Sequence, residues 1–427
     1  MLAKKRKTLL LLGSTSYILM LYISYKYMIA PNFSYGNYKY DEPLLLLVIS
    51  AYFFSVLPLL YLQDSIQRPS HAVHWLLYFI IYIPIMFIPI YTSYTNNINY
   101  IFNQMMIAVA YFLLICFSKI PYVSIPKLRF TKFQFWVSIA IVSICFYIYI
   151  ISVFGFHFDI SFDDVYDRRF LYREETNRYV AYALNWQSKV LNTLLIAIGL
   201  IRGKKLPIFI GFLGQLILFS ITGQKSIFFS IIMIIGVFLA YGKNGKGFGL
   251  KITYGFTGLI AFTFIFDKII NDVTMTSLFV RRFIATPGLI TGYYFDFFST
   301  NPKALLGYGL FKSFVDYTYQ FEPPFLIGGI YFGKFQMSAN VNYLGDAYAN
   351  FGYLGMIIFT IILGFVLWII DSLSFKNDQL LAVLLISMTS WSLTDTALLT
   401  SLLTHGILLA ILTLYLYPNN PLSGRTD

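Results

Sequence analysis

The chain has 427 residues, of which 58% are apolar and 19% aromatic, while only 12% are charged. A soluble globular domain carries about 25% charged residues, and a mean hydropathy of +0.69 leaves too little polar surface to hold this chain in water. A soluble enzyme or binding module is therefore excluded, and the composition is that of a polytopic integral membrane protein. The net charge of +12 is a topology signal, and no nucleic-acid partner is expected.

A membrane-crossing helix needs about 20 mostly apolar residues. Twelve segments qualify: 8–30, 43–63, 74–94, 100–118, 134–154, 180–201, 206–222, 226–241, 250–270, 352–371, 379–394 and 399–417. The first follows the basic run Lys4-Lys5-Arg6-Lys7 and is too long for the apolar core of a cleaved signal, so it is expected to remain as a span. The stretches 206–241 and 379–417 each read either as two tight helices or as one helix plus a re-entrant piece. No internal repeat or low-complexity linker divides the chain, so residues 1–427 form one membrane domain. The expected fold class is all-α, a polytopic integral membrane helical bundle with about 12 transmembrane helices.

Lys and Arg set the orientation. Seventeen of the 31 basic residues share the side of the N-terminus, with only four of the 19 acids, Asp64, Asp371, Asp378 and Asp427. Both termini are thus expected to be cytoplasmic. Two segments on the other side, 155–178 and 271–351, are far longer than a turn, and loops beyond about 15 residues tend to be functional. With no globular cytoplasmic domain, the chemistry is expected there.

The first segment reads FHFDISFDDVYDRRFLYREETNRY. On a helix, Arg169 and Arg173 share a face, and together with Arg168 they form a fork set suited to a diphosphate. The i,i+4 pairs Asp164–Arg168 and Glu174–Arg178 equally describe a solvated interfacial helix. In ITGQKSIFF, Lys225 stands at an outer turn between apolar spans, either to meet an anionic head group or simply to snorkel. Arg281 and Arg282 open the long outer segment, against the positive-inside bias, and Asp272 or Asp296 could absorb them in a structural bridge. The stretch SANVNYLGDAYANFGYLG packs Asn340, Asn342, Asp346 and Asn350 among aromatics and glycines, the mixture that sugar hydroxyls and sugar C–H faces require. Its bland reading is a set of turns and a helix-surface carboxylate. Lys189 and Gln187 lie within the sixth span and either line a path for substrate or lock helices together. Cys116 and Cys145 sit in apolar runs, and His71, His74, His157 and His405 are scattered, so neither a disulfide framework nor a zinc-like site is expected.

Through these residues the sequence resembles the Wzy-type O-antigen and oligosaccharide repeat-unit polymerases. The shared features are the span number with both termini inside, the TGQKS turn, the RRF opening of a long periplasmic loop and the closing GDAYANFGYLG. The resemblance implies a fold like the C-type glycosyltransferases and O-antigen ligases, in the bacterial inner membrane, with the active face periplasmic and no cofactor or metal. It implies undecaprenyl-diphosphate-linked oligosaccharides and membrane lipid as partners, and a chain-length regulator protein as a further one. Arg281 and Arg282 then correspond to loop arginines linked to polymerisation. Lys225 stands for a turn arginine whose charge it keeps and whose bidentate fork it lacks, and Arg168, Arg169 and Arg173 match an earlier arginine-bearing loop more loosely. Asp346 is the first candidate for a catalytic base, Glu322 the second and His157 the third, with Arg281 in catalysis and Arg282, Asn340 and Asn342 in substrate binding. The alternatives are a lipid-linked oligosaccharide flippase, which suits Lys189 but usually has short outer loops, and an O-antigen ligase.

Overall fold

A computed structural model describes the chain except residues 1, 129, 157, 159–171, 173, 174, 310, 376, 377 and 419–427. Among the described residues the secondary structure is helical, with no strand. In chain order the helices are α1 (Lys5–Asn32), α2 (Leu45–Leu60), α3 (Pro69–Tyr91), α4 (Tyr100–Phe117) and α5 (Lys132–Phe154). Next comes α6, which runs through Arg178–Trp186, a π-helical turn Gln187–Leu191 and Asn192–Arg202. It is followed by α7 (Lys205–Thr222), α8 (Lys225–Tyr241) and α9 (Phe248–Ile270). Then α10 starts as a π-helix, Thr276–Ala285, and continues as Thr286–Thr300. The chain closes with α11 (Pro323–Phe332), α12 (Tyr343–Ser374), α13 (Gln379–Thr394) and α14 (Leu398–Leu416).

Eight of these, α1, α3, α4, α5, α7, α9, α12 and α14, are long and apolar enough to cross a membrane. A helix also stands at each of the other four segments expected to span, but α2, α8 and α13 are shorter than the span length and α6 is diluted by Asn185, Gln187, Lys189 and Asn192. Both ambiguous stretches resolve into pairs of helices. The second of them breaks again inside α14, between Leu398–Leu403 and Ile407–Leu416, where Gly406 takes a left-handed φ of 87°.

The long segment 271–351 is far from irregular. Most of that segment is the helix α10, the short helix α11 and the first turns of α12. The second half of α10 buries Pro287, Gly288, Leu289, Tyr293, Tyr294 and Phe295 against the bundle. It is an interior helix, too rich in Gly, Thr and Tyr to look like a span. The expected boundary near 351 falls inside α12, where Phe351 and Gly352 leave helical geometry and kink it.

The wholly buried α3 lies at the centre of the bundle. Away from water every backbone group needs a partner, because an unmet one costs several kcal/mol. Pro89 has no N–H to offer the carbonyl of Ile85, and the Tyr100 hydroxyl donates to that oxygen instead (2.9 Å). Tyr17 likewise donates to the carbonyl of Phe79 (2.5 Å), and Tyr111 adds a second donor to that of His74 (2.6 Å), which already accepts from the Tyr78 amide. The high tyrosine content of the chain thus serves partly to repair an irregular central helix.

The loops assigned to the basic side meet one another. Arg6 pairs with Asp64 (3.0 Å), whose other oxygen accepts from the Leu250 amide (3.1 Å), and Asp371 accepts from the amide and hydroxyl of Ser70 at the start of α3. The loops assigned to the opposite side meet likewise: Tyr38 with Thr286 (2.6 Å), and Tyr293 with the Asn37 carbonyl (3.0 Å).

Candidate functional site

A cavity of about 620 Å³ opens in the bundle where α6, α8, α10, α12, α13 and α14 converge. Lys225 reaches its wall because Gly223, at a left-handed φ of 61°, turns the chain from α7 into α8 within two residues. Arg282 comes from the π-helical start of α10, Glu322 and Pro324 from the start of α11, and Asn340 from the strand-free approach to α12. Asp346 comes from the first turn of α12. Five of the ten residues singled out from sequence, drawn from segments up to 121 positions apart, therefore share one chamber: Lys225, Arg282, Glu322, Asn340 and Asp346.

The carboxylate of Asp346 is held in a fixed pose. One oxygen accepts from the Tyr308 hydroxyl (3.1 Å) and from the Asn350 amide (3.2 Å), one turn further along the helix. Asn350 is pinned in turn by the Leu306 amide, which donates to its side-chain oxygen (2.8 Å). Burial and the nearby Asp346 carboxylate raise the Tyr308 phenol above its ordinary pKa, so it stays protonated and acts as a donor. Asp346 is only 6% exposed, and what exposure it has is toward the cavity.

Of the other five residues, the two that are described, Arg281 and Asn342, lie elsewhere. Arg281 does not line the cavity. Its guanidinium lies 4.2 Å from the ring centre of Phe33 and 5.6 Å from that of Tyr38, and it donates twice to the Ser277 hydroxyl (3.0 and 2.7 Å). Adjacent residues on a helix point in different directions, so the Arg-Arg pair is split, with one member in the chamber and the other stacked on the α1–α2 connection. Neither arginine forms an ion pair with Asp272 or Asp296 among the described residues. Asn342 is fully buried and caps α12, its oxygen accepting from the Leu344 and Gly345 amides (both 3.1 Å) while its nitrogen donates to Thr291 (2.6 Å). Arg168, Arg169 and Arg173, like His157, fall outside the described residues.

The two polar residues of α6 separate in the same way. Gln187 is buried in a lock, donating to Ser143 (2.7 Å) and Asn192 (2.8 Å), and Asn192 continues it to Gln215 (3.3 Å). Lys189 faces the cavity and contacts His405, which also meets Asn185 (2.9 Å). Sequence reasoning passed over His405 and Asp395, which both line the chamber. The signal was available: each is an ionisable residue interrupting an apolar stretch, and such residues mark functional positions in membrane helices. The break at Gly406 ends one helix just where His405 must enter the cavity.

The architecture defines a multi-pass helical membrane protein with a polar chamber built from its own helices. Residues 338–420 match the family model described as O-antigen polysaccharide polymerase Wzy, which bears out the resemblance over that segment. The matched stretch supplies Asn340, Asp346, Trp391, Asp395 and His405 to the cavity, while Lys225, Arg282 and Glu322 lie before it. No curated protein and no solved structure matches the chain. The match supports a polymerase-type role in polysaccharide biosynthesis, and with it glycosyl transfer in general.

Proposed function

We propose that the chain is an O-antigen polymerase. It joins oligosaccharide repeat units carried on undecaprenyl diphosphate, at the periplasmic face of the bacterial inner membrane, with both termini cytoplasmic. The observation that carries this reading is the meeting of Lys225 and Arg282 with Asp346 in one chamber, beside the family match over 338–420.

In this reading an acceptor hydroxyl attacks the anomeric carbon at the reducing end of the donor glycan. The new glycosidic C–O bond forms as the bond to the diphosphate breaks, and undecaprenyl diphosphate leaves with the electron pair. The hydroxyl proton passes to Asp346, whose second oxygen is open to this task because Tyr308 and Asn350 both hold the first. Negative charge grows on the leaving diphosphate, and the preset cations Lys225 and Arg282 stabilise it. Asn340, exposed on the wall, binds sugar hydroxyls in this reading, and Glu322, also exposed in the lining, is the second candidate for the base. A chain-length regulator protein is the expected protein partner.

The test is glycan length in cells lacking the gene, complemented with wild type or with Asp346→Asn at equal membrane abundance. Deletion that leaves single repeat units on the lipid A core supports the polymerase. Full-length lipid-linked polymer that is never transferred identifies a ligase, and lipid-linked repeats trapped on the cytoplasmic side identify a flippase.

A further inference from the structure

A second cavity, of about 490 Å³, adjoins the first and differs from it in kind. Its walls are α8 and α9, with Leu76 and Ile80 of α3 behind them, and its lining is apolar except for Lys251. Lys251 stands at the far end, where its ammonium donates to the Ala240 carbonyl (3.0 Å). Phe229, Phe283 and Trp391 line both cavities, so the two adjoin across these three rings.

One face of α8 spells out the junction. Lys225 lines the polar chamber, Phe229 belongs to both cavities, and Met233, Gly236 and Ala240 continue along the groove at helical spacing. The same change occurs on α10, from Arg282 in the chamber to Phe283 at the seam. From Phe229 to Ala240 the groove is about 16 Å long by helix rise. Gly236 and Gly255 both line it, and a Cβ on either would meet nothing within 4 Å. These glycines do not serve close helix contact. They widen a slot.

We infer that this groove holds the first part of the polyisoprenoid tail of the lipid-diphosphate substrate, whose head occupies the polar chamber. The inference rests on the function proposed above. The occupant must have an anionic head and an apolar tail on one molecule, because cations and groove follow each other along a single helix face. An apolar peptide or a second copy of the chain fits the groove alone and leaves the cationic end unused. The remainder of the tail passes between α8 and α9 into the bilayer, where Ile232 and Leu239 are exposed.

The experiment is photolabelling of the wild-type protein in vesicles of phosphatidylethanolamine and phosphatidylglycerol. One undecaprenyl-diphosphate-linked sugar probe carries a diazirine at the third isoprene of its tail, and a second carries it on the sugar. The tail probe is expected to label peptides around Met233–Ala240 and Ile252–Phe256, at least tenfold less when excess undecaprenyl diphosphate is added and undiminished by extra phosphatidylglycerol. Gly236→Phe, whose Cβ meets nothing within 4 Å and whose ring would enter the slot, is expected to abolish that labelling. It should also raise the KM for the undecaprenyl-linked donor about tenfold while sparing a geranyl-linked one. Gly258→Phe, also in open space on α9 but off the groove wall, leaves both unchanged. Labelling spread evenly over the lipid-facing α5, or competed by phosphatidylglycerol, overturns the inference. If the sugar probe marks the chamber while the tail probe misses the groove, the inference fails and the proposed function stands. If the sugar probe does not mark the chamber, the proposed function itself fails. Should Gly236→Phe not accumulate in the membrane, the wild-type labelling pattern decides.

Discussion

The Gln187–Asn192–Gln215 lock and the chamber around Asp346 both place polar side chains deep in an apolar bundle, and they solve the resulting problem in opposite ways. In the lock each amide nitrogen is consumed by another side chain or a carbonyl, as Gln215 shows by donating to both the Ser188 carbonyl (2.8 Å) and Ser230 (2.9 Å). Of the lock's amide oxygens only that of Gln187 has no partner among the described residues. The chamber gathers charges of both signs around open volume. Closed networks hold helices together; open ones are available to a substrate. Polarity within a span is therefore ambiguous until it is known whether the hydrogen bonds close.

Breaking the chamber is expected to have the largest effect. Asp346→Asn keeps the hydrogen bonds of the site and removes its base, so polymer synthesis should fall about 10²–10⁴-fold at unchanged membrane abundance, read as repeat-unit length on gels. Arg282→Ala should follow, with a loss of about 10²–10³-fold, and Arg282→Lys should recover part of it by restoring charge without the fork. Arg281→Ala tests the split of the arginine pair. It removes a stack on Phe33 worth about 1 kcal/mol and should lower thermal stability in detergent while leaving product length per molecule nearly unchanged. A polymerisation loss as large as that of Arg282→Ala would overturn the split. At the small end, Asn192→Leu opens the lock and should cost about 1–2 kcal/mol of stability with no change in the length of glycan made.

The helices were legible because lipid-facing apolar runs are long and unmistakable, and each expected span coincides with a helix. The helix α10 was not, since it packs against protein on many sides and keeps its arginines, threonines and glycines. The chamber was half legible. Charges placed against the positive-inside bias pointed to Lys225 and Arg282, and a carboxylate among amides and rings pointed to Asp346. The sequence could not say that Arg281 and Asn342 would be used up in a stack and a helix cap, because those partners, Phe33 and Thr291, lie 248 and 51 positions away. His405 and Asp395 were visible as isolated ionisable residues, and only the fold joins them to the others.

The turn between α7 and α8 has a consequence for how this sequence can drift. Only Gly223 and Gln224 separate the two helices, and each residue added to a helix advances its face by about 100°. A single inserted or deleted codon here would swing Lys225 off the chamber wall and rotate the whole length of α8 with it. Divergent descendants of this chain should therefore vary in the side chains of α8 that line neither cavity while keeping the spacing of that turn fixed.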